Sequence, residues 1–173
     1  MQSVVFFRNV NQGQRGHPAA VDLRGALADC GFAEATPFQS NGTVVVRGVV
    51  APDALGDIES ALAGRTGLLR EVFALPLAQA IEIVEAHGDT PDASRRELTL
   101  YGGDALDPED AATAREAAHR RCRLIASGVG WAVSVNERER ESNATPVIER
   151  LTGTPATSRG FPTLRRLIER FAS

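Results

Sequence analysis

Lysine is absent from this chain, and all 19 of its basic residues are arginine. That absence removes every chemistry that needs an ε-amine: Schiff-base catalysis, a lysine-anchored pyridoxal phosphate, and a P-loop closing on lysine. Cysteine is nearly as scarce. Cys30 and Cys122 lie far apart and outside any C-x-x-C pair, which reads as two free thiols in a reducing compartment. Histidine offers a metal little. His119 and Cys122 stand at i, i+3, half a ligand set, while His17 and His87 are isolated. Asp104, Asp107 and Glu109 lack the glycine and closing glutamate of a calcium loop. No metal and no cofactor is expected, and without a Gly-x-Ser-x-Gly elbow a serine hydrolase of that type has no support.

Long apolar runs are missing too. No stretch approaches the roughly 18 apolar residues of a membrane span. The N-terminus offers only Val4-Val5-Phe6-Phe7 with no basic lead, too short a run for a signal peptide. The expectation is a cytoplasmic protein without membrane contact.

What is present is an ordinary globular composition, 43% hydrophobic and 24% charged. With a net charge of −3 and a pI near 5.7, no global positive field draws the chain to nucleic acid or anionic lipid. A length of 173 residues suits one domain or two small halves.

Periodicity supplies the elements. Val4 to Phe7 reads as a buried strand, followed by a polar loop over residues 9–17. Pro18 stands where an N1 proline would, ahead of a helix carrying Ala20, Leu23, Leu27 and Cys30 on one face, with Gly31 as its stop. Residues 36–39 form a weaker strand. Asn41-Gly42 is a type I′ hairpin signal that returns residues 43–47 as a third strand. A helix over 53–63 ends at Gly64, and residues 69–74 are again a strand. This βαββαβ order is that of a ferredoxin-like plait. Pro76 opens a further helix, residues 97–101 make a strand, and an acidic first turn introduces an Ala-rich helix at Pro108. A hairpin follows across Gly128-Val129-Gly130, and two helices, 146–151 and 162–171, close the chain. The expected class is α+β: two ferredoxin-like (α/β plait) halves with mostly antiparallel sheets, 1–75 and 76–173.

Two polar clusters are candidates for binding. The junction from Arg8 to His17 joins a strand to a helix, so it presents backbone N–H groups and a positive helix end beside Arg8, Asn11, Gln12, Gln14, Arg15 and His17. Arg159, with Thr157, Ser158 and Thr163, precedes the last helix and could hold a phosphate or carboxylate by charge-assisted hydrogen bonds. Gln39 and Ser40 complete a polar pocket if the fold joins these segments. The proposed anion-binding set is therefore Arg8, Asn11, Gln39, Ser40, Arg159 and Thr163, with a small anionic molecule as partner. The plainer reading is a solvated loop and a helix cap. Residues 5–10 also resemble the first aromatic strand of an RNA-recognition motif, but the third strand lacks stacking aromatics, and Phe6 and Phe7 are expected in the core. A protein-interaction or RNA-contacting plait is the alternative to small-molecule binding.

Three segments carry a resemblance. They are Phe7-Arg8-Asn9-Val10-Asn11-Gln12-Gly13, Phe38-Gln39-Ser40-Asn41-Gly42-Thr43-Val44-Val45, and the run from Gly153 to Leu164. In that order and spacing the chain resembles the uncharacterised bacterial family of domain of unknown function 1697, whose members open L-L-R-G-I-N-V-G-G, carry Q-S-G-N-V-V-F and end near T-P-A-T-x-R-N-W-x-T. Asn9 stands where that pattern has Gly, Asn41-Gly42 inverts its G-N pair, and Gly160-Phe161-Pro162 replaces N-W-x. The resemblance implies a cytosolic fold of two ferredoxin-like plaits, and no activity.

Overall fold

The computed structural model describes residues 1–172. The chain divides into two units, Met1–Ala80 and Ile81–Ser173.

The first unit contains β1 (Gln2–Phe7), α1 (Ala20–Asp29), β2 (Ala35–Phe38), β3 (Thr43–Arg47), α2 (Ala54–Thr66) and β4 (Val72–Pro76). The strands make one antiparallel sheet in the order β2-β3-β1-β4, the plait arrangement expected from the element order. Because side chains alternate along a strand, Val5 and Phe7 of β1 share a face with Val44, Val46 and Val72. Leu23, Ala26 and Leu27 of α1 and Ile58 and Leu62 of α2 close over that face as the core. Ser3 lies on the same side without disrupting it, since its hydroxyl donates to the Gly48 carbonyl and accepts from the Val50 amide.

The second unit repeats the plan. After the helix α3 (Leu77–Gly88), which spans the division between the units, come β5 (Arg96–Tyr101), α4 (Ala111–His119), β6 (Cys122–Gly128), β7 (Trp131–Asn136), α5 (Ala144–Thr152), β8 (Ala156–Gly160) and α6 (Phe161–Phe171). Sheet order is β6-β7-β5-β8, again antiparallel throughout, and each fourth strand runs straight into a helix. Tyr101, Ala132, Cys122, Leu124 and Ala156 pack under Ala117 of α4 and Val147 and Ile148 of α5.

Several boundaries differ from the sequence reading, each for a local reason. Residues 156–160, expected as loop, are a strand paired with β5 in the register Leu98↔Arg159. Gly64 sits inside α2, and the helix stops at Gly67, whose φ of 71° supplies the left-handed cap. The β2–β3 connection is not a two-residue I′ turn. Phe38 pairs with Thr43, leaving four residues between them, with positive φ at Gln39 (58°) and Gly42 (77°) and not at Asn41.

Candidate functional site

The loop leaving β1 is held from two sides. The Arg8 amide donates to the Glu71 carbonyl at 2.9 Å, and its guanidinium meets the Glu71 carboxylate at 3.4 Å. Asn9 turns the chain with φ 53°, a left-handed conformation that Asn and Gly tolerate. This fits both the asparagine here and the glycine in the pattern the chain resembles. Arg70 Nε secures the turn by donating to the Asn9 carbonyl at 3.0 Å. On the other side, the Gln12 amide donates to the Ser40 carbonyl at 2.7 Å and the Phe7 amide to the Gly42 carbonyl at 2.8 Å. Within the loop, the Asn11 N–H donates to His17 Nδ1 at 3.0 Å, folding residues 11–17 back on themselves.

Asn11 and Gln12 of the loop thus lie along the turn that carries Gln39 and Ser40, while Arg8 is paired with Glu71 on the other side of the loop. At this loop–turn contact of the first unit Gln12 carries a side-chain amide nitrogen, Nε2, that is buried and has no hydrogen-bond partner among the described residues. A buried N–H donor without an acceptor costs roughly 1–3 kcal/mol, so native folds leave few of them. Arg8, Arg15 and Arg70 give the region positive charge, opposed by Glu71. The N-terminus of α1, expected to face an anion, carries a carboxylate of its own. Its leading amide, that of Ala19, already donates to the chain's own Asp22 carboxylate at 2.8 Å.

Arg159 and Thr163 belong to the second unit. Arg159 lies within β8 and is 7% exposed, not on a surface loop. Its guanidinium donates to Thr157 Oγ1 and the Ser158 carbonyl, both at 2.8 Å. Burial pushes its pKa down to about 10, which still leaves it charged at neutral pH. Thr163 sits in the first turn of α6.

A second polar centre escaped the sequence reading. Glu97 of β5 is buried on the helix-covered face, where its carboxylate accepts from Asn136 Nδ2 (3.0 Å), Ser142 Oγ (2.6 Å) and the amides of Asn143 (3.1 Å) and Ala144 (3.2 Å). It caps α5 from a neighbouring strand, and with all its partners satisfied the arrangement is structural. Nearby, Ser158 Oγ bridges Thr99 Oγ1 (2.7 Å) and Thr145 Oγ1 (2.6 Å). In the sequence Glu97 is only a polar neighbour of Leu98 in an alternating strand, with nothing to mark it as buried.

A cleft of about 540 Å³ opens beside the start of β6, lined among others by Ala114, Ala118, Cys122, Arg123 and Leu124. Burial raises the Cys122 thiol to about 11, so it stays protonated at neutral pH and is a poor nucleophile. Among the described residues no three His, Cys, Asp or Glu side chains are grouped to hold a metal ion. No helix there is long and apolar enough to cross a membrane. Phe6 and Phe7 are both fully buried, as expected, and neither is presented for stacking.

The family described as "Protein of unknown function (DUF1697)" matches residues 1–128, from the N-terminus through β6. The chain belongs to this family. Its DUF1697 match takes in the whole loop–turn contact of the first unit, and leaves β7, α5, β8 and α6 outside. No curated protein matches the chain. Among solved structures, a conserved bacterial protein, SP0830 from Streptococcus pneumoniae, is similar over 99% of this chain and 98% of its own, with a TM-score of 0.63 at 15% identity. At that identity the likeness is one of fold.

Proposed function

We propose that this DUF1697 protein binds a small molecule through an anionic group, phosphate or carboxylate, at the loop–turn contact of the first unit. The observation that carries the reading is the unpartnered Gln12 Nε2. A buried donor calls for an acceptor, and an anion supplies the strongest one. Arg8 contributes charge, and exposed Asn11, Gln39 and Ser40 contribute polar contacts around the same point. Arg159 and Thr163 belong to the second unit and are left out of this site; Arg159 is buried there, with its guanidinium donating to Thr157 and Ser158 of its own strand. Two free cysteines support the cytoplasm as the compartment.

The test is a thermal-shift screen of the full chain against nucleotides, sugar phosphates and organic acids, because a ligand of the native state raises its melting point. The expected result is a hit that disappears in Arg8→Ala and Gln12→Leu while both variants melt as cooperatively as the parent. A hit that both variants retain would remove the site.

A further inference from the structure

The second unit carries an open groove that plays no part in the site above. It lies between the end of α3 and the C-terminal half of α6, encloses about 390 Å³, and is lined by Val84, Glu85, Asp89, Arg165, Ile168 and Glu169. Arg165, Ile168 and Glu169 fall at i, i+3 and i+4, on one face of α6. The floor is apolar: Val84 is buried and Ile168 half-buried.

Its rim is acidic. Glu85, Asp89 and Glu169 are exposed and stand against a single cation, Arg165, which is already committed because its guanidinium donates to the Gly88 carbonyl at the end of α3. Among the described residues none of the three carboxylates makes a hydrogen bond or ion pair, and they are not gathered closely enough to hold a metal ion. Their charge is spread around an apolar strip instead. That pattern complements an extended cationic surface with an apolar centre, not a point charge. The groove is open and flanked by two helices, a shape that takes the ridge of a third.

We propose that this groove docks a basic amphipathic helix of a protein partner. Apolar side chains of that helix at i and i+4 rest on Val84 and Ile168, and flanking Lys or Arg side chains reach Glu85, Asp89 and Glu169.

The experiment titrates the full chain into a fluorescein-labelled helical peptide of about 18 residues, built from Leu on one face and Lys on the other, and follows anisotropy. Saturable one-to-one binding is expected, weakened about tenfold or more in Glu85→Arg/Glu169→Arg. The same loss is expected from Ile168→Ser, and none from Asp104→Arg, a reversal on a different surface. All these positions except Ile168 are exposed, and melting curves confirm that each variant folds. Four results would overturn the proposal. The peptide binds the double reversal as well as the parent, or no tighter than about 1 mM to the parent. A peptide of equal charge with its Leu residues scattered binds equally well. Decylammonium, a small amphiphilic amine, occupies the groove and the peptide does not.

Discussion

The Gln12 amide donates to the Ser40 carbonyl at 2.7 Å, fastening the loop after β1 to the turn between β2 and β3. Two segments that look independent in the sequence therefore form one surface, and the unpartnered Gln12 side chain lies where they meet. The proposed anion site stands or falls with this contact.

Gly42 is the hinge of the contact. It is buried with φ 77°, and a Cβ there would lie 2.7 Å from the Phe7 carbonyl oxygen and 2.9 Å from Val10 Cβ. Both the left-handed conformation and the lack of space oppose any side chain. Gly42→Ala is expected to cost about 2–4 kcal/mol in urea unfolding. A loss under about 0.5 kcal/mol would mean that the turn is free to move.

Glu71 opposes the proposed ligand. Its carboxylate meets the Arg8 guanidinium at 3.4 Å and would repel an arriving anion. Glu71→Gln is therefore expected to tighten binding of any anionic hit, by about two- to tenfold at low salt, with the gain shrinking as salt rises. Isothermal titration reads this directly, and weaker binding in the variant would place the anion elsewhere.

The second unit depends on Glu97. Four donors converge on its carboxylate, two of them backbone amides at the start of α5. Glu97→Gln turns part of that acceptor into a fifth donor, and is expected to lower stability by about 2–4 kcal/mol without altering ligand binding at the first unit. Urea melts and the thermal-shift hit together check both halves of this statement.

Cys122 gives a signed pH effect. Burial is the main cause raising its thiol from the ordinary value of 9.0 to about 11, with the carboxylates of Glu97 and Glu137 adding to the shift. The folded state thus holds a proton that the unfolded state releases. The contribution is fully present below pH 9 and is lost as pH rises toward 11. Wild type should lose on the order of 2 kcal/mol more than Cys122→Ala over that window. Parallel stability curves for the two proteins would show that the thiol is not sequestered.

How far the sequence discloses all this depends on how each residue is used. β3 is legible as the β-branched run Val44-Val45-Val46 behind a turn signal, and α6 because Leu164, Leu167, Ile168 and Phe171 recur at helical spacing. β8 is not. Its Ala-Thr-Ser-Arg-Gly run has no apolar alternation, and it buries Thr157 and Arg159, residue types that usually face water. The same polar burial hides Glu97 behind a pattern that looks solvated. Gly64 and Gly67 are both plausible stops, and only the backbone conformation separates them. At the candidate site, the junction loop and the hairpin turn were each recognisable from their polar residues. Their union needed the register of β1 on β3, and Gln12's unmet donor needed the packed structure.

The most direct measurement follows the Gln12 side-chain amide itself by ¹H–¹⁵N NMR, with its pair of resonances assigned by their loss in Gln12→Leu. During titration with an anionic hit from the screen, those resonances should shift saturably, together with the backbone amides of Asn11 and Ser40. Saturable binding that leaves the Gln12 amide unmoved, with shifts gathered in the second unit, would contradict the site.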